Sequence, residues 1–93
     1  MSEARWTRLA QADLARIDEW HSHRDLDFAA RLGFEALAEA RRAADAPGLG
    51  SPTDLRLRKW RVGKTGYLLF YREVDGQTEI VRMRHERENW TLS

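Results

Sequence analysis

Gly66-Tyr67-Leu68-Leu69-Phe70-Tyr71-Arg72-Glu73-Val74-Asp75-Gly76-Gln77-Thr78-Glu79-Ile80-Val81-Arg82-Met83-Arg84 reads as a β-hairpin, and this hairpin decides the fold. Residues 66–71 are apolar in both phases of the alternation, as expected of a central strand with one covered face. Asp75-Gly76 is a two-residue turn signal, because a type I′ turn needs positive φ and Gly supplies it without steric cost. On the return strand, alternation places Thr78, Ile80, Arg82 and Arg84 on one side and Glu79, Val81 and Met83 on the other.

Upstream, Leu55 and Leu57 alternate with Arg56 and Arg58, but Trp60 and Val62 fall on the opposite parity, which predicts a bulge near Lys59. The stretch Asp45 to Asp54 holds both prolines and reads as the one long loop. Before it, Ala30, Phe34, Leu37, Ala40 and Ala44 form the stripe of a helix with Asp27 as its N-cap. Ala10, Leu14, Ile17 and His21 or Trp20 form the stripe of an earlier helix reaching about His23, with Asp13, Arg16 and Glu19 on its polar face. Arg5-Trp6-Thr7-Arg8-Leu9 reads as a first strand. The order strand, helix, helix, three strands implies an α+β domain: a helical hairpin packed on a mostly antiparallel, twisted sheet.

The 93 residues are expected to form one domain over 1–93, and 42% apolar with 33% charged residues is too balanced for a disordered chain. No apolar run is long enough for a membrane helix, and the acid-bearing start lacks the apolar region of a secretory signal, so a cytoplasmic protein without membrane contact is expected. With no cysteine and three histidines, neither a disulfide framework nor a structural zinc site is expected, and no cofactor is implied. Gly48-Leu49-Gly50 lacks the helix and Lys of a phosphate-binding loop, and no G-x-S-x-G or H-E-x-x-H motif occurs. His21 and His23, two apart on a helix, point to different faces and read as a solvated helix end.

The net charge of +1 conceals an asymmetry. Residues 1–47 hold seven Arg against nine acids, while residues 48–93 hold nine Lys and Arg against six. Arg56, Arg58, Lys59, Arg61 and Lys64 run with no acid among them, and guanidinium suits bidentate contact with carboxylate or phosphate. Such a run is either a solvated face or a binding surface. Arg82, Arg84 and Arg87 add cations around His85, which reads either as a strand-end cap or as a base. With Arg61, Arg82 and Arg84 to stabilise a phosphorane, His85 has the chemistry of an RNA-cleaving site. Trp60 and Trp90 serve either as packing residues or as stacking surfaces for a partner.

Taken together, the sequence resembles the RelE/ParE family of toxins from bacterial type II toxin–antitoxin systems. The resemblance rests on Ala12-Asp13-Leu14 with Ile17 and Trp20, on Arg61, Gly63, Tyr67, Leu69 and Tyr71, and on Ile80 to His85 followed by Arg87; it spans about Arg5 to Trp90. The end of the chain is more similar to the ParE branch than to the RelE branch. Arg84 departs from that pattern where an apolar residue is common, and Asn89 where Asp is frequent.

The resemblance implies a toxin that binds a protein target, DNA gyrase, and is neutralised by a cognate antitoxin with an acidic amphipathic segment. The alternative is a RelE-like endonuclease that cleaves mRNA on the ribosome through His85, Arg61, Arg82 and Arg84; a third reading is a non-toxic, antitoxin-binding corepressor module. Glu86 and Glu88 beside His85 oppose phosphate approach and favour the first, in which no residue is catalytic. In that reading Arg56, Arg58, Lys59, Trp60, Arg61, Lys64, Arg82, Arg84, His85, Arg87 and Trp90 form the binding surface.

Overall fold

The computed structural model describes residues 3–88, so Asn89 and Trp90 lie outside the described residues. Strand β1 (Ala4–Trp6) leads into helix α1 (Arg8–Ser22) and helix α2 (Leu26–Asp45), then a 3-10 turn at Pro47–Leu49. Strands β2 (Ser51–Pro52), β3 (Arg58–Arg61), β4 (Tyr67–Val74) and β5 (Gln77–His85) follow. The sheet order is β1-β5-β4-β3-β2, with β1 parallel to β5 and every other pair antiparallel. The expected α+β architecture is present, and no helix is long and apolar enough to cross a membrane among the described residues.

Local chemistry sets the helix ends. The Thr7 hydroxyl accepts from the Ala10 amide at 3.1 Å and caps α1. Asp25, rather than the expected Asp27, caps α2 by accepting from Phe28 at 3.0 Å. Asp27 falls within the first turn, where a carboxylate still interacts favourably with the positive end of the helix dipole.

The packing stripe of α2 also differs from expectation: Ala29, Leu32, Ala36, Ala40, Ala43 and Ala44 are buried, while Ala30, Phe34 and Leu37 are exposed. Small side chains let α2 approach the sheet closely, and the bulkier Phe34 and Leu37 are left outside. In α1 the buried positions are Ala10, Asp13 and Ile17, so Asp13 is not on the polar face.

The hairpin turn is as expected, with Asp75 at φ 53° and Gly76 at φ 78°. The bulge is not near Lys59. Residues 54–57 form a turn in which Arg56 has φ 62°, and β3 begins only at Arg58, which accounts for the parity change there. The irregularity lies in the β4–β5 pair, where Phe70 faces Arg82 but Tyr71 faces Ile80, leaving Val81 as the extra residue. That single residue changes which side chains face the helices. Ile80 and Met83 both enter the core with Leu69, Tyr71, Leu32 and Ala36. Arg82 and Arg84 fall on the opposite face, in register with Phe70 and Leu68.

Candidate functional site

Three separate places stand out, and the charges that drew attention in the sequence fall at the first two of them. At the first, the side of β5, β1 ends its pairing at Ile80 and α1 takes over the strand edge. Asp13 there does what a neighbouring strand would do: its carboxylate accepts from the Met83 amide at 3.0 Å. Arg82 grips the same carboxylate with two bonds, of 2.8 and 3.0 Å, Arg84 reaches it at 2.9 Å, and Arg16 reaches it from α1 at 2.9 Å. Asp13 is 1% exposed, and the Arg82 and Arg84 side chains are each 12% exposed.

Burial by itself would raise the Asp13 pKa. Arg82, the Met83 amide and Arg84 outweigh that and hold it at about 2, so the carboxylate is charged at every physiological pH. The same contact raises the Arg82 pKa above its ordinary value. Asp13 is the residue that reading for function missed. The available signal was its spacing, three after Ala10 and four before Ile17, which is the buried spacing of α1.

The second place is the end of the sheet where β3, the β3–β4 turn and the end of β5 meet. An open groove of about 710 Å³ is lined by Leu49, Lys59, Arg61, Leu68, Glu86 and Arg87 among others. A smaller one of about 510 Å³ adjoins it at Arg61, Lys64, Gly66, His85, Glu86 and Arg87. Arg61 is 78% exposed along its side chain, and its Glu86 contact is long, at 3.7 Å.

The register splits the basic run between faces. Lys59 and Arg61 point away from the helices; Arg58 and Trp60 point toward them. Arg58 donates to the Gly50 carbonyl at 2.7 Å, and the Trp60 indole donates to Glu39 of α2 at 3.0 Å while packing edge-on against Tyr71. Arg56 is exposed in the turn before β3, and Lys64 is exposed in the turn after it. Trp90 lies outside the described residues.

His85 belongs to the helix-facing side, opposite Tyr67 in the register, with their rings perpendicular at 5.0 Å. Gly66, at φ +86°, gives the imidazole room, since a Cβ there would stand 2.8 Å from Nε2. On the other side of Tyr67, its hydroxyl and His21 Nε2 share a 2.8 Å hydrogen bond, and the His21 ring packs against Phe28 and Trp20. His21 is therefore a packed residue joining the helix hairpin to β4, not part of a solvated end. Burial, aided by Glu88, pushes the Tyr67 hydroxyl above its ordinary pKa, so it acts as a neutral hydrogen-bonding group rather than a nucleophile.

This arrangement bears directly on RNA cleavage. Arg82 and Arg84 are engaged by Asp13, and His85 lies on the other face of the sheet from both. The structure therefore does not bring His85, Arg61, Arg82 and Arg84 to one site. No group of His, Cys, Asp or Glu suited to a metal ion occurs among the described residues.

The third place was not anticipated and carries little charge. A concavity of about 510 Å³ lined by Trp6, Gln11, Leu14, Ala15, Asp18 and Leu37 runs beside the outer face of α2. Next to it on that face Leu26 is 69% and Phe34 76% exposed. Isolated exposed apolar residues are ordinary; a helix-length row beside an apolar groove is the form that receives an amphipathic helix.

Comparison with known proteins adds two findings. A family model described as the ParE toxin of type II toxin–antitoxin system, parDE, matches residues 4–90. Among solved structures, a chain from the "Chromosomal ParDE TA system from P. aeruginosa" has a similar fold, with a TM-score of 0.80 at 18% identity, covering 91% of this chain and 96% of that one. No curated protein matches the sequence.

Proposed function

Because this chain belongs to the ParE toxin family of type II toxin–antitoxin systems, we propose that it arrests growth by binding a protein target, DNA gyrase, and that a cognate antitoxin holds it inactive in the cytoplasm. The observation that carries the choice of binding over RNA cleavage is the Asp13 cluster. A phosphorane needs cations free to approach it, and Arg82 and Arg84 are committed to a buried carboxylate. What remains exposed, Arg61, Lys64 and Arg87, is the rim of a protein-binding surface rather than a catalytic constellation.

The antitoxin reading draws support from the third place. An amphipathic helix that lays leucine-sized side chains on Trp6, Leu14, Leu37 and Phe34 would bury apolar surface that α2 otherwise leaves in water. Such a helix would be ordered only on binding, as a segment without a core of its own requires.

One purified protein assayed in two reactions tests the proposal. Inhibition of gyrase supercoiling with intact ribosome-bound mRNA is the expected result, and the inhibition should be relieved by the protein encoded beside this chain. Ribosome-dependent cleavage that disappears in His85→Gln would overturn it in favour of the endonuclease.

A further inference from the structure

We infer that the outer face of α2 pairs two copies of this chain, antiparallel across a two-fold axis at Phe34. The inference goes beyond the proposed target and does not depend on it. Asp27 stands seven residues before Phe34 and Arg41 seven after it; Ala30 stands four before and Ala38 four after. At about 100° per residue these five fall on one stripe, opposite the buried Ala29, Leu32, Ala36 and Ala40. Asp27, Ala30, Phe34 and Arg41 are exposed, and Ala38 is half-buried.

A half-turn about Phe34 lays this stripe on itself with its charges exchanged. Phe34 meets Phe34, Ala30 meets Ala38, and Asp27 meets Arg41 on each side of the axis. A two-fold interface has to be self-complementary in this way. Within the chain neither Asp27 nor Arg41 enters an ion pair among the described residues, so pairing across the axis breaks none.

The shape of the stripe agrees with its charge. Ala30, Gly33, Phe34 and Leu37 occupy i, i+3, i+4 and i+7, the positions that frame a hole for a side chain of a facing helix. A Cβ on Gly33 would meet nothing within 4 Å, so this hole is open at the surface. The Phe34 ring of the second copy fills it, and the alanines on either side let the helix axes approach to about 8 Å. Phe34, 76% exposed in the single chain, is thereby taken out of water. Pairing through one helix is a small interface, below about 1,200 Å² in total, which gives an exchanging dimer with a Kd on the order of tens of micromolar. The antitoxin helix proposed above also uses Phe34 and Leu37, so the pair has to open to admit it.

Sedimentation velocity on the full chain, from about 1 to about 500 μM, tests this, because a dimer of this affinity forms across that range. Phe34→Ala should weaken dimerisation about tenfold, as loss of a central aromatic contact does. It should leave the melting temperature of the dilute, monomeric chain unchanged, since the ring lies in water there. Asp27→Arg and Arg41→Asp should each weaken dimerisation about tenfold, since either turns both cross-axis pairs into like-charge repulsions. The Asp27→Arg/Arg41→Asp double variant should return to within about threefold of the parent, because opposite charges again meet across the axis. Parallel helices would set each position against itself, and the exchange would restore nothing. A chain that stays monomeric throughout overturns the inference and leaves this face to a different partner. A dimer indifferent to Phe34→Ala overturns it too, as does a double variant no better than the single ones.

Discussion

At the edge of β5, Arg82 and Arg84 are 12% exposed against a carboxylate that is itself out of water; at the β3–β4 end, Arg61 is 78% exposed and its acid stands 3.7 Å away. The residue type is the same and the strands are close neighbours. What differs is where the carboxylate sits. Asp13 comes from α1, 69 residues before Arg82, and is carried into the structure by helix packing. Glu86 follows directly on β5 and lies on the surface. The first cluster is a fastening between helix and sheet. The second is a surface open to exchange, because water and salt screen it and nothing else holds it closed. A count of arginines cannot distinguish them.

The contrast is broken most directly at Asp13. Asp13→Ala leaves Arg82 and Arg84 without their counter-charge and Met83 without an acceptor, and should cost about 3–5 kcal/mol in urea denaturation. A loss below about 1 kcal/mol would mean that the cluster is ornamental.

Acid titration probes the same fastening. The folded pKa of Asp13, about 2, lies below its ordinary 3.8, so its stabilisation is complete above about pH 4 and is lost as pH falls toward 2. The amount is about 2 kcal/mol. Glu79, held below its ordinary value by hydrogen bonds from Arg5 and Arg72, acts in the same direction. Asp13→Asn should flatten the acid limb of the stability–pH curve, leaving the smaller share of Glu79.

A finer cut is Arg82→Lys. It keeps the charge but removes the planar fork that makes two bonds to Asp13, and should cost about 1–2 kcal/mol. At the open end, Arg61→Gln should change folding stability by no more than about 0.5 kcal/mol while weakening partner binding. Were Arg61→Gln as damaging to the fold as Arg82→Lys, the distinction between fastening and open surface would fail.

The elements themselves were legible from local patterns. Asp75-Gly76 announces its turn because so few residues tolerate positive φ, and the apolar run Leu68 to Tyr71 is a buried strand by composition alone. Helix phase was less legible. Ala30, Phe34 and Leu37 are spaced as well as Ala29, Leu32 and Ala36, and only the closeness of the sheet selects the small side chains. The bulge was misplaced because a change of parity has the same appearance whether the chain inserts a residue or simply begins its strand later. Of the candidate site, the cations were recognised as a class, but their assignment to faces depended on Val81, and nothing in Arg82 or Arg84 advertises a partner in α1.

Residue order thus sufficed for the α+β content, the hairpin and the charge asymmetry between the halves, since each depends on neighbours within a turn or a few strand positions. Which arginines are available to a partner did not follow from it. That depends on one extra residue at Val81 turning a strand over and on an aspartate delivered from another element to the bare edge of β5. Burial and electrostatic pairing are properties of distances between elements, and those exist only once the chain has packed.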